Sequence, residues 1–350
     1  MKIYKLTLIA LCCCSLKLSA QYASTKVRSK YELYTDSLKQ VKYDKIFPIF
    51  GQGAYKKGFD IPYPAGLMAN FIWMKQNIDL ENMQLGFKGN GIGGNPVDVP
   101  LTSVDFIKFS DNENTTYGYN FRPDLWIFPF LNVYGIFGFG NSTTEVNLIE
   151  PLKLQSVVEQ DITTTGFGIM GAGGIGPFWT SVDANWTWNK PELLDEPVRV
   201  NVLGIRLGKT FTFNDRPDRN IAVWVGGMRT EMNTSTSGQI TLNQAIPGFD
   251  QKTDEIYANY HEWRDENYDD LNLQQKLVVN NVLDPMAEAI KDRDGSAVIR
   301  YAMDKQVAQL WNGLIGAQFQ LNKRWMLRSE GGVLGNRKSF LMSINYRFLF

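Results

Sequence analysis

In the last eleven residues, Phe340-Leu-Met-Ser-Ile-Asn-Tyr-Arg-Phe-Leu-Phe350, every even position is apolar or aromatic, while Ser343, Asn345 and Arg347 stand between them. Successive side chains of a strand point to opposite faces, so this segment predicts a strand with one greasy and one polar side. The pattern recurs upstream. Residues 176–188 set Phe178, Val182, Ala184, Trp186 and Trp188 against Ser181, Asp183, Asn185 and Thr187. Residues 117–128 set Tyr117, Tyr119, Phe121, Leu125 and Ile127 against Gly118, Asn120, Arg122 and Asp124. In 201–213, Leu203, Ile205, Leu207, Phe211 and Phe213 oppose Gly204, Arg206, Gly208, Thr210 and Thr212. Residues 325–335 alternate more softly, with Arg328 and Glu330 on the polar side; in 219–231 the phase is ambiguous, because Trp224 and Met228 oppose Ile221, Val223 and Val225.

Beyond residue 20 no run of eighteen apolar residues occurs, which excludes a membrane-spanning helix there. A spanning strand needs only about 9–11 alternating residues. Twelve such strands are predicted, near 65–75, 79–88, 102–110, 117–128, 131–141, 163–173, 177–188, 199–213, 219–231, 309–321, 325–335 and 340–350, with ten or fourteen as the neighbouring even counts. The 31 glycines and 13% aromatics suit closely spaced strands and rings at a water boundary. The final strand resembles that of bacterial outer-membrane β-barrels, including porin-like ones, which alternates this way and ends on an aromatic residue. The resemblance implies an all-β transmembrane antiparallel barrel in the outer membrane of a Gram-negative bacterium, in contact with lipid. It also implies that Tyr346, Phe348 and Phe350 serve as the C-terminal signal read by the barrel assembly machinery.

The N-terminus predicts export. Met1-Lys-Ile-Tyr-Lys5 is basic, Leu6 to Leu16 is apolar, and Leu18-Ser-Ala20 offers a small residue for cleavage before Gln21, so residues 1–20 read as a removable signal peptide. All three cysteines, Cys12, Cys13 and Cys14, lie in that leader, so a mature chain from Gln21 has no thiol for disulfides, catalysis or metal binding. Removing the leader also removes three lysines, leaving 33 basic against 36 acidic groups and no basic stripe for nucleic acid.

Walking back from a periplasmic Phe350 places the short links Pro129-Phe130, Gly174-Ile175-Gly176, Asn214 to Asp218 and Asn322-Lys-Arg324 in the periplasm. The longer links 142–162, 189–198 and 232–308 then fall outside the cell. The barrel proper is assigned to 64–350. Residues 21–63 precede it as a periplasmic tail or as a lumen plug built on Phe47, Phe50, Tyr55 and Phe59. The insertion 232–308 carries 13 acids and 7 bases and predicts helices, with Ile256, Tyr260 and Trp263 on one face and Asp284-Pro285 opening a second helix before Gly295.

Little in the sequence points to chemistry. Gly89-Asn-Gly-Ile-Gly-Gly94 and Gly171-Ala-Gly-Gly-Ile-Gly176 match the dinucleotide glycine pattern, but Pro96 and Pro177 lead into a loop and a strand rather than the helix such a site needs. His261 is the only histidine, too few for a multi-histidine metal site. The acidic runs Asp265-Glu266, Asp269-Asp270 and Asp292-Arg-Asp294-Gly295 lack the spacing of a calcium loop. No cofactor site and no enzymatic activity are predicted.

The inward charges Arg122, Asp124, Asp183, Arg206, Arg328, Glu330 and Arg347 remain. An arginine facing lipid at the bilayer midplane costs about 2–4 kcal/mol, so these must face the lumen. There they either line a wet passage or pair and fill the barrel. Inward glycines such as Gly138, Gly166, Gly168, Gly204 and Gly208 leave room for water or for residues 21–63. The expectation is a non-enzymatic channel for small solutes gated by residues 21–63 or by the insertion. The alternative is a closed scaffold whose insertion 232–308 docks a protein partner in an outer-membrane assembly, secretion or uptake complex.

Overall fold

A computed structural model of the chain describes residues 30–90, 94–151, 153–175, 177–232 and 235–349. The expected leader and Phe350 lie outside these residues. The strands are β1 (Ala65–Asn90), β2 (Pro96–Ser103), β3 (Lys108–Phe109), β4 (Asn112–Phe128), β5 (Leu131–Glu150), β6 (Leu154–Ile175), β7 (Phe178–Pro191), β8 (Val198–Phe213), β9 (Arg216–Met232), β10 (Ser235–Thr241), β11 (Val298–Val307), β12 (Trp311–Gln320), β13 (Trp325–Leu334) and β14 (Arg337–Phe348). Ten of them close a ring in the order β1, β4, β5, β6, β7, β8, β9, β12, β13, β14, every neighbouring pair antiparallel. The seam is continuous: Ala65 of β1 pairs with Leu125 on one side and Phe348 on the other. This is the architecture of an outer-membrane barrel. Both chain ends meet the ring at one rim, the terminal rim; the opposite rim is distal.

The expected twelve wall strands are corrected to ten. Segments 65–75 and 79–88 are one strand of 26 residues, because the polar stretch between them contains no glycine or proline to turn the chain. Segment 102–110 is not in the wall; it is divided among β2, β3 and the turn between them. The links 142–162 and 189–198 shrink likewise, since β5 runs to Glu150, β6 resumes at Leu154 and β7 continues to Pro191.

On β5, β6 and β8 side-chain parity is kept from end to end but polarity inverts part-way, and on β1 a bulge between Glu81 and Gln84 turns Met83 and Leu85 inward alongside Leu80. Near the terminal rim the outward residues are apolar, with Leu67, Phe121, Phe137, Ile169, Ile205, Val223, Leu327 and Ile344 all exposed. Aromatic residues flank this belt, Phe130, Phe178, Phe213 and Trp325 at the terminal rim and Tyr117, Trp188 and Trp311 on the distal side, as in barrels that sit in lipid. Distal to it the outward positions become Lys75, Glu113, Glu145, Asp161, Lys190, Arg199 and Arg229, and Lys75 pairs with Glu113. The inward positions change in the opposite sense. On β6, Leu154, Val158 and Ile162 face inward above Gly166 and Gly168; on β8, Val198, Val200 and Val202 do so above Arg206. The distal half of the molecule is thus a cup with a charged exterior and a mainly apolar interior.

Beyond Ile78, β1 exchanges its ring partners for β11 and β2, and β10 joins β11 to extend the cup wall. The insertion forms its roof through α1 (Leu242–Ala245), α2 (Phe249–Asn267), α3 (Leu273–Val278) and α4 (Asp284–Lys291). Thr241 and Gln244 form a reciprocal capping box at the start of α1. Ile256 and Tyr260 of α2 are buried against Val282, Leu283, Met286 and Ile290, and Phe87 of β1 enters the same cluster. The Tyr260 hydroxyl donates to Asp284 at 2.6 Å, and Arg264 donates to the same carboxylate at 2.9 and 3.1 Å. Among the described residues no helix is long and apolar enough to cross a membrane.

Residues 30–63, with helices Lys30–Gln40 and Gly51–Lys56, lie across the terminal rim. Lys30 pairs with Asp215 in the β8–β9 turn, and Asp60 pairs with Lys323 in the β12–β13 turn at 3.1 Å. On the opposite side of the ring, the Ile49 N–H donates to the Ile127 carbonyl and Phe50 stacks on Phe128. Burial pushes the Tyr34 hydroxyl up to about 12, so near neutral pH it stays protonated and donates to Asp60 at 2.8 Å. Phe50 is 70% exposed, and none of these residues lines the interior cavity.

Candidate functional site

The sequence-predicted inward charges meet in two tiers. In the upper tier Arg206 on β8 grips Glu330 on β13 through Nε at 2.7 Å and Nη2 at 2.8 Å, a two-pronged contact that also fixes the planes of both groups. Its Nη1 binds Asp183 on β7. Glu330 further accepts from the Trp224 indole and from Arg328, each at 2.8 Å. Asn185 joins Asp183 at 2.9 Å and accepts from the Tyr134 hydroxyl at 2.7 Å. Arg122 lies 3.4 Å from the centroid of the Tyr134 ring. The network therefore reaches from β4 around the lumen to β13.

In the lower tier, Arg347 donates to Asp124 at 2.9 Å and to the carbonyls of Tyr63 and Pro64 at 2.8 and 3.0 Å. Asn132, 1% exposed, donates to Asp124 at 2.8 Å, and Asn345 is buried beside them. Together the tiers make a floor of paired side chains.

At Gly168, Gly204 and Gly208 the room left by inward glycines is filled from within the wall, while Gly138 lines the interior cavity. The Tyr134 ring covers Gly168, Trp179 covers Gly208, the Arg206–Asp183 pair covers Gly204, and the Trp224 indole covers Gly316. Gly316→Val is therefore expected to displace Trp224 from Glu330 and cost at least about 2 kcal/mol. Gly173→Val, whose new methyl groups would start from open space, should cost little. Midpoints of urea unfolding, read from the compact band on unheated gels, compare the two; equal midpoints would count against this packing.

Above the floor an interior cavity of about 630 Å³ runs up to the helical roof. Leu85, Leu148, Val158, Val200, Ile299 and Met303 are among its wall residues, and Leu242, Ile246, Leu283, Met286 and Ile290 face it from above. Arg206, Arg328 and Glu330 lie at its base. A second recess of about 590 Å³, lined by Arg199, Asn201, Glu231, Gln306 and Leu310, shares Met232 and Val307 with it.

Several members of this site were absent from the sequence-based set: Trp224, Tyr134, the apolar lining and Lys305. The one signal for Trp224 was the ambiguous phase of β9, where inward Trp224 and Met228 are as apolar as the outward Val223 and Val225. Trp224 and Met228 are inward residues that face, respectively, the floor and the chamber. His261 sits in α2 with its ring 4.3 Å from that of Tyr257, and among the described residues no group of three histidine, cysteine, aspartate or glutamate side chains is placed to hold a metal.

No protein-family model matches the sequence, and no curated protein does. Among solved structures the chain is similar to the β domain of the Bordetella autotransporter Brka, at 7% identity and a TM-score of 0.37, covering 81% of this chain and 100% of that one. It is similar to the outer-membrane protein OprG of Pseudomonas aeruginosa at 11% identity and a TM-score of 0.36, covering 83% and 100%. The Ralstonia pickettii toluene transporter TbuX aligns at 7% identity and a TM-score of 0.28, covering 82% and 90%.

Proposed function

We propose that this chain is an outer-membrane barrel that captures a small apolar molecule in its distal chamber, as the first stage of a passage through the lumen. The terminal rim then faces the periplasm and the roofed cup stands outside the cell. The observation that carries this reading is the apolar cavity of about 630 Å³. Pockets of about 300–1,000 Å³ with mainly apolar walls and a few polar groups are the size and chemistry that hold small ligands. A cup standing in water has no need of an apolar interior to satisfy its surroundings. Wetting such walls costs about 25 cal/mol per Å² of apolar surface, a cost that a greasy occupant relieves. The recess sharing Met232 and Val307 borders the chamber at the level where the outer surface turns polar. The paired floor separates the chamber from the terminal rim, so release on that side requires the floor to rearrange.

The test uses barrel reconstituted in lipid nanodiscs and radiolabelled naphthalene, with retention by empty discs subtracted. The full chain should retain naphthalene, and Val158→Trp combined with Val200→Trp, which fills the chamber from two walls, should reduce retention at least about tenfold. Val225→Trp on the exposed belt should not. Equal retention by the filled and unfilled forms would remove the chamber as the binding site.

A further inference from the structure

Resting on the chamber reading above, we infer that the natural occupant is an amphipathic monoanion, an apolar body bearing one acidic group, and that Lys305 receives that group. Inward and outward residues alternate along β11: Ile299, Tyr301, Met303, Lys305 and Val307 line the cavity, while Arg300, Asp304 and Gln306 bond to Asp98, Asn82 and Glu81 on the other face. Lys305 is thus a cation placed on an apolar wall. The acids closest to it in register, Asp79, Glu81 and Asp304, lie on the outer face, where Glu81 and Asp304 accept from Gln306 and Asn82.

The floor does not reach it. Lys305 pairs with Leu80 of β1, whereas Glu330 lies across β14 from Ile72, so about 25 Å of strand separates the two levels. Among the described residues Lys305, half-buried on the cavity wall, has no ion pair and no hydrogen bond, although ammonium groups withdrawn from water are usually paired. Burial pushes its ammonium down to about 8, which leaves it mainly protonated at neutral pH. An acidic head entering the chamber would give this charge the partner the protein withholds, while the tail covers the surrounding aliphatic wall.

The charges below favour the same sign of ligand. Arg122, Arg206, Arg328, Arg337 and Arg347 face inward against Asp124, Asp183 and Glu330. Arg337 is held by Gln76 and Thr230 at 2.8 and 2.7 Å rather than by a carboxylate, and its Nη2 has no partner among the described residues. An anion leaving Lys305 would descend toward a surplus of guanidinium groups.

Decanoate and decanol differ in the head group and share the tail, which makes them the discriminating pair. In nanodiscs at pH 6.5, with empty discs subtracted, the full chain should retain decanoate over decanol. Lys305→Met should cut decanoate retention about tenfold, the loss of one charge-assisted contact, and leave decanol unchanged. Lys305→Arg should restore the preference for the acid. Should Lys305→Met leave the acid-to-alcohol ratio where it was, or should the full chain favour decanol, the acidic-head inference is overturned while the chamber stands. If neither decanol nor naphthalene is retained above empty discs, the chamber reading falls and this inference with it.

Discussion

Glu330→Ala is expected to lower the unfolding free energy of the barrel by about 3–5 kcal/mol, the usual consequence of removing one partner from a buried ionic network. Glu330 accepts four hydrogen bonds, two from Arg206 and one each from Trp224 and Arg328. Without it Arg206 keeps Asp183, but Arg328 loses the carboxylate bonded to its Nη2, and its Nε already has no partner. The charge balance of the upper tier worsens as well, since Arg122, Arg206 and Arg328 would face Asp183 alone. Glu330→Gln keeps the shape and an acceptor, so it should fall between the two forms. Urea titration of the compact gel form gives all three midpoints. A loss under about 1 kcal/mol for Glu330→Ala would show that the network is wet and weakly coupled.

Tyr134→Ala is expected to produce open steps in planar-bilayer recordings, and deletion of residues 21–60 alone is not. Tyr134 is 4% exposed, fills the space over Gly168, stacks under Arg122 and bonds Asn185 two strands along on β7. Truncating it removes the ring that links Arg122 on β4 to Asn185 on β7 and opens the space over Gly168. Residues 30–60 lie across the rim and contribute no lining to the cavity, and the deletion keeps Tyr63 and Pro64, whose carbonyls hold Arg347, so both tiers stay in place. Current appearing on that deletion with Tyr134 intact would show that the N-terminal segment, rather than the side-chain floor, is the gate.

Much of the wall was legible because lipid imposes a strict rule. In β4, β7, β8 and β14 the outward positions must be apolar, and the inward charges follow by parity; Asp124, Asp183, Arg206 and Arg347 are buried on the lumen side as that rule requires. The rule fails where the strands leave lipid. A reader who searches for greasy-outward alternation sees β1 end at Lys75, because from there the outward residues are Asn77, Asp79 and Glu81 while Ile78 and Leu80 face inward. One strand then looks like two. The chamber was illegible for the same reason: its walls are assembled from the outer ends of β5, β6 and β8 together with a roof and a strand from the 232–308 insertion. Lys305 lies in that insertion, on the face of β11 that carries Ile299, Tyr301, Met303 and Val307, a strand hidden among segments that read as helical.

The reversal of polarity along the strands also governs vertical position. Sliding the molecule inward by one strand repeat would bring Lys75, Glu113, Lys190 and Arg229 toward hydrocarbon, at up to about 2–4 kcal/mol for each cation near the midplane. Sliding it outward would expose the belt of Phe121, Phe137 and Ile344 to water. The draught of the barrel is therefore set by the covalent sequence, with steep restoring forces in both directions, and the roofed cup is held at a constant height above the lipid headgroups.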